Sequence, residues 1–316
     1  MDQQTGTMIK SGVIATILAL VLYKMGVSSP LFILPLLFFA PKFKPNIWAV
    51  VPVALVLAIL LAYNLIGTSD LWRSSSTIGV LLVGLYFPIS SLVGAGIWIL
   101  LGERRMLTKL LSASAFATAA GFGLVYWLSL GGPVATATGE LYQRTIGVLI
   151  STVFGGEMPM GLTTEAIFQA IVSLLKRGFL PMFVGQFGFC ALLSTILIHR
   201  GDSSFQARMT NWKLSENFVW LFLGAWSLVL VSLVVKIPFF DIVGWNVALA
   251  TTLLYMVQGV SIVAMFFRRK NPNVTATRVF VLALISAFLP GINLVIWIAL
   301  PLLGVAETWI NFRKNS

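Results

Sequence analysis

Charge is what this sequence lacks most. Only 10% of its 316 residues are charged, while 58% are hydrophobic; a soluble globular chain carries about 25% charged residues. Cysteine is almost absent: Cys190 stands alone in an apolar stretch. That excludes an internal disulfide and any cysteine-based metal cluster, and it reads as an inert packing residue. Histidine is equally scarce. His199 is the only one, and it ends an apolar run beside Arg200, where a solvated interfacial role is expected. No P-loop, H-E-x-x-H or G-x-S-x-G pattern occurs. The sequence therefore reads as a non-enzyme with no cofactor. Its net charge of +11 says less about nucleic acid, which is not an expected partner, than about which loops face which side of a membrane.

What is present is long apolar sequence. About 20 apolar helical residues cross a hydrocarbon core of about 30 Å, and clear spans lie at 47–66, 78–101, 107–130, 178–199, 215–236 and 243–267. Two regions are less simple. Residues 11–40 hold two short apolar runs separated by Lys24, Gly26 and Pro30, and 276–309 would make a helix of about 51 Å, too long for one crossing. Pro290-Gly291 is a turn signal that divides the second region into two arms. The fold class is all-α: a polytopic integral membrane helical bundle with about 8–10 membrane segments, four of them short or broken. It reads as one membrane domain over 1–316.

Basic residues decide the expected orientation. With both ambiguous regions folded as hairpins and both termini cytoplasmic, 15 of the 21 Lys and Arg fall on the cytoplasmic side, as the positive-inside rule requires. Trp48, Trp212 and Trp309 then mark inner ends, and Trp72, Trp127 and Trp245 outer ones. The expected location is the bacterial inner membrane, with the lipid bilayer as the first partner. The long connection 131–177 lies outside. Its part from Thr163 to Arg177 has the periodicity of an amphipathic helix, capped by Thr163 or Thr164 and ended by Lys176-Arg177 before Gly178. It is expected to lie on the outer surface, separated by "GGEMPMG" from a more apolar first half.

None of the ten acids falls at mid-membrane, which weighs against a self-sufficient ion-coupled carrier. Uncharged amides are more suggestive. Gln186, Asn246 and Asn293 map to similar depth in the outer halves of three segments, with Gln258 in an inner half. Each amide needs a hydrogen-bond partner in hydrocarbon. The expectation is that the first three line a shared outer cavity and bind a small apolar or weakly polar solute. Ala15 and Ala19, and Ala113, Ala117 and Gly121, are small-residue stripes that suit close helix packing.

Two motifs carry a resemblance. "LLGVAETWINFRK" (302–314), with Glu307 placed to pair with Arg313 or with basic loop residues, and "ARMTNWKLSENFVWLFLGAW" (207–226) resemble the YybS-like family of bacterial membrane proteins. The departure is Ser215, where that family has Pro. The likeness covers 178–316. It implies a fold grouped with the substrate-binding membrane components of energy-coupling-factor transporters, which work with a transmembrane coupling subunit and ATPases. By that resemblance Ala15, Ala19, Glu307 and Arg313 become candidate partner-docking residues. The expected function is a transport-associated, solute-binding component needing an energising partner. The alternative is a non-transporting scaffold or regulator that binds a membrane or cytosolic partner through its basic face.

Overall fold

The computed structural model describes residues 3–67, 75–153, 163–310 and 312–313. Trp72, Arg73, the whole "GGEMPMG" separator and Lys314 lie outside them. The described residues form helices and no strand, and seven of the helices are long and apolar enough to cross a membrane. The protein is an all-α, polytopic bundle.

Where the sequence reads as one domain, the chain divides into two compact units, Met1–Ser194 and Thr195–Ser316. The first holds α1 (Gln3–Lys24), α2 (Leu34–Phe39), α3 (Val50–Gly67), α4 (Ser75–Leu100), α5 (Met106–Ser129), α6 (Pro133–Val153) and most of α7 (Thr164–Ile198). The second holds the end of α7, α8 (Ser203–Thr210), α9 (Phe218–Val235), α10 (Pro238–Lys270), α11 (Ala276–Ser286) and α12 (Ile292–Ala306).

In the first unit, region 11–40 is a hairpin with unequal arms. α1 is a full span. The return is broken into a 3-10 turn at Gly26–Leu31, which contains Pro30, and the six-residue α2. α3 then runs parallel to α1: Gly12 faces Pro52, and the Lys24 ammonium sits 3.4 Å from the centre of the Tyr63 ring. The unit's core is aromatic. Phe179, Phe183 and Phe187 follow one another at helical i, i+4 spacing on α7 and pack on Tyr86, Phe87 and Phe122. The stripe Ala113, Ala117 and Gly121 is buried against α4, with the Tyr86 hydroxyl donating to the Ala117 carbonyl at 2.8 Å.

The amphipathic segment 163–177 corrects the sequence reading. Thr163 does cap it, accepting from the Ala166 amide at 3.1 Å, and the expected end at Gly178 is absent. The helix continues without interruption for 35 residues, or about 52 Å. A glycine after two basic residues resembles a helix stop, but the aromatic ladder that begins at Phe179 supplies packing that carries the helix through it. The segment is thus the first half of a helix longer than the hydrocarbon is thick, rather than a separate surface element.

In the second unit, α9 and α10 form an antiparallel pair. The chain turns at Lys236, whose φ of 54° is left-handed, and α10 opens on Pro238. Trp226 packs edge-on to Trp245 and Phe222 to Tyr255. The region 276–309 is divided as expected. α11 and α12 are separate short arms joined through Gly291, whose φ of +87° only glycine adopts freely, and the Trp297 indole donates to the Ala287 carbonyl at 3.1 Å.

α12 crosses α10 at backbone contact. A Cβ on Gly259 would stand 2.0 Å from the Leu300 carbonyl oxygen, and one on Gly304 would stand 2.2 Å from that of Tyr255. Neither obstacle is a side chain that can swing away. Gly304→Val should therefore lower stability by at least about 1–3 kcal/mol, the usual range for overpacking, read as a lower melting temperature in mild detergent. Gly291→Ala, which strains one φ but meets no neighbouring atom, should cost less. A Gly304→Val protein with the parental melting temperature would contradict the close crossing.

Candidate functional site

The densest polar cluster lies in the second unit, where the two motifs that carry the family resemblance meet. Gln258 on α10 is its centre and is 1% exposed. Its side-chain carbonyl accepts from the Leu214 amide at 2.9 Å, and its amide nitrogen donates to the Gly304 carbonyl at 3.0 Å and to Glu307 Oε2 at 2.9 Å. One turn on, the Ser261 hydroxyl donates to the Met209 carbonyl at 2.7 Å. Glu307 caps the end of α12, the backbone continues in tight turns to Ile310, and Arg313 reaches back to Glu307. The Arg313 guanidinium donates to both Glu307 oxygens, through Nε at 2.5 Å and through the terminal nitrogen at 3.2 Å, and to the Trp212 carbonyl at 3.0 Å.

This is a sealed ion pair: the side chains of Glu307 and Arg313 are 1% and 14% exposed. Of the two kinds of partner that the sequence offered Glu307 (Arg313 or basic loop residues), the structure has Arg313, in buried rather than solvated surroundings. A solvated pair is worth about 0–1 kcal/mol. A buried one stays intact only if the remaining donors and acceptors are bonded, and here Gln258, Ser261 and the 209–214 backbone do that. Glu307 and Arg313 are therefore not free to meet a partner protein, as the resemblance had implied. Between them Trp309 and Ile310 stay outside, 65% and 57% exposed.

The 209–214 loop is positioned by α8. Asp202 caps that helix, accepting from the Ser204 amide at 2.8 Å. Hydrogen bonding to Ser204, with lesser help from Phe205 and Arg208, holds its carboxyl below the usual carboxylate range. Gln206 and Thr277 then bond twice across α8 and α11, at 2.8 and 3.1 Å. His199 stacks on Phe205 with ring centres 5.2 Å apart.

The three amides expected to line one cavity are used otherwise. Gln186 belongs to the first unit, where it accepts from Ser91 at 2.9 Å and donates to the Pro30 carbonyl at 3.0 Å, tying the broken return arm to α4 and α7. Asn246 and Asn293 belong to the second unit. Asn246 donates to the Ile242 carbonyl of its own helix at 2.8 Å, and Asn293 accepts from its neighbour Leu294 at 2.8 Å. These bonds of the three amides are structural ones, and none of the three lines the groove between α1 and α3. Ala15 and Ala19 are 1% and 0% exposed, covered by the 3-10 turn, α2 and α3 of the same chain. They are an internal packing face, not a docking face. Cys190 is fully buried, in keeping with an inert thiol.

A cavity does exist in the first unit, where sequence reasoning did not look. It is a groove of about 590 Å³ between α1 and α3, lined by Met8, Ile9, Gly12, Val13, Val51 and Leu55, with Thr5, Lys44 and Trp48 toward one end. The sequence signal was weak, a lone Gly12 on α1, where a Cβ would come into ordinary contact with Phe43 and Pro52 at 3.5 Å. Among the described residues no cluster of His, Cys, Asp and Glu could hold a metal ion.

Two outcomes are expected of the polar cluster. Glu307→Ala, which leaves Arg313 buried without its carboxylate, should destabilise the protein by about 3–5 kcal/mol, and Glu307→Leu/Arg313→Met together by much less. Equal losses in the single and double variants, measured by denaturation in detergent, would mean that the pair is not coupled. The Asp202 cap has a depressed folded-state pKa, so its contribution is complete above the unfolded value of about 3.9 and is lost as pH falls through the folded one. Amide exchange in α8 should accelerate there, and Asp202→Asn, also a good cap, should remove that pH dependence.

Comparison with family models, with curated proteins and with solved structures finds no match to this chain.

Proposed function

We propose that this protein is a transport-associated component of the bacterial inner membrane, with both termini cytoplasmic, that binds a small and largely apolar molecule and takes its energy from a partner. The supporting observation is the α1–α3 groove. Its volume of about 590 Å³ falls within the range of small-molecule sites, about 300–1,000 Å³, and an apolar lining with few polar groups is how such sites are built. The groove replaces the three amides as the binding element of the reading. The resemblance of 207–226 and 302–314 to the YybS-like family supplies the transport context, and the lack of mid-membrane acids suits a component driven from outside itself.

The non-transporting scaffold is the second reading, and the polar cluster favours it. Gln258, Ser261, Glu307 and Arg313 are spent on structure, and their bonds hold Trp309 and Ile310 in exposed positions. Mass spectrometry of the protein released gently from its native membrane separates the two. The transport reading expects a retained small molecule together with coupling and ATPase subunits. A stable complex with a non-transport enzyme and no small molecule would overturn it.

A further inference from the structure

The α1–α3 groove is asymmetric along its length. α1 and α3 run parallel, so Thr5, Met8 and Ile9 lie level with Lys44 and Trp48, while Gly12 and Val13 lie level with Val51, Pro52 and Leu55. From Thr5 to Val13 is about 12 Å along the helix. Beyond Thr5, Lys44 and Trp48 the lining is wholly apolar, and Lys44 is its one charged residue. Ile9, Val13, Val51 and Leu55 are 53%, 52%, 44% and 48% exposed, so the groove opens sideways along much of its length.

Charge in the segment that builds the groove has one sign, and the acid near its polar end comes from another element: Glu103 follows Gly102, where a Cβ would stand 3.5 Å from the Asn46 amide nitrogen. From residue 3 to residue 69 the chain contains four lysines, Lys10, Lys24, Lys42 and Lys44, and no carboxylate. Lys24 is at the far end of α1, over Tyr63. Lys10 and Lys44 are exposed, and the Lys42 ammonium lies 4.7 Å from the centre of the Phe39 ring. Among the described residues Lys44 makes no ion pair. A cation and an indole at the mouth of an apolar slot match an amphiphile with an anionic head: the ammonium meets the charge, the Trp ring suits the head-group level, and the slot takes hydrocarbon. A free inorganic anion would leave the apolar length unused, and a neutral amphiphile would make no use of Lys44, the one charged residue of the lining.

We infer that this groove is a binding site for an anionic glycerophospholipid, with an acyl chain along Val13, Val51 and Leu55 and the head-group phosphate at Lys44. The inference rests on the groove being the binding element of the proposed function and adds the ligand's class. Lipid taken from the leaflet enters sideways, so no lid or rearrangement is required. Lys10 and Lys42 contribute through the field at the surface rather than through the slot.

The test uses the delipidated full-length protein in mixed micelles of a neutral detergent with phosphatidylglycerol or with phosphatidylcholine, and counts retained lipid by native mass spectrometry. The parental protein should hold one phosphatidylglycerol in preference to phosphatidylcholine. Lys44→Ala should lose that preference, a drop of roughly fivefold for one basic residue near an anionic head group, without change in melting temperature. Val13→Trp, a substitution of an exposed side chain that fills the slot, should abolish retention of both lipids. If the parental protein retains both lipids equally and Val13→Trp removes both, the anionic inference fails while the groove survives as an apolar site. If Val13→Trp changes neither, the groove is not a binding site, and this inference and the proposed function lose their support together.

Discussion

In the second unit the helices are organised around one buried charge pair that cannot be left half-made. Glu307 and Arg313 are six residues apart and lie against one another with their side chains 1% and 14% exposed. At low dielectric an unpaired charge is far costlier than in solution. Every group around the pair is therefore constrained: Gln258 must present its nitrogen to Glu307, Trp212 its carbonyl to Arg313, and Ser261 its hydroxyl to the loop. Three segments distant in sequence, 209–214, 258–261 and 304–313, are bound to one another by that requirement.

Such a device suits a chain of this composition. Between helices in lipid there is no hydrophobic driving force of the kind that assembles soluble domains, so packing and interhelical hydrogen bonds carry more of the association. Both appear together here. Gly259 and Gly304 bring α10 and α12 to backbone contact, and that close approach puts the Gln258 amide within 3.0 Å of the Gly304 carbonyl. In the first unit Gln186 plays a related part, joining Ser91 to the Pro30 carbonyl. There the broken return arm frees backbone groups that a continuous helix would have satisfied internally.

The parts of the fold legible in the sequence are those set by local physics. Span positions followed from apolar length, the division at Pro290-Gly291 from turn chemistry, and a threonine cap at 163 or 164 from residue type, Thr163 being the one used. Continuity of α7 through Gly178 was illegible because it depends on Phe179 and Phe183 packing against residues some 60–100 positions earlier. The site divides in the same way. Spacing suggested Glu307 with Arg313, but burial of the pair depends on a loop a hundred residues away. Depth alone suggested Gln186, Asn246 and Asn293 as ligand groups. Depth does not show how an amide is bonded, because an asparagine on a helix can bond to its own helix's carbonyl four residues back, as Asn246 does to Ile242. Ala15 and Ala19 were read correctly as a close-packing face, but with the wrong occupant.

Hydrogen exchange at the Leu214 backbone amide is the most direct measure of whether the buried cluster organises the second unit. That amide lies in a connection between helices, yet it donates to the Gln258 side chain at 2.9 Å in a buried position. The account predicts slow exchange in the parental protein, comparable to the interior of α10, and a return to loop-like exchange on substituting Glu307 with Ala. Rapid exchange at Leu214 in the parental protein would contradict it.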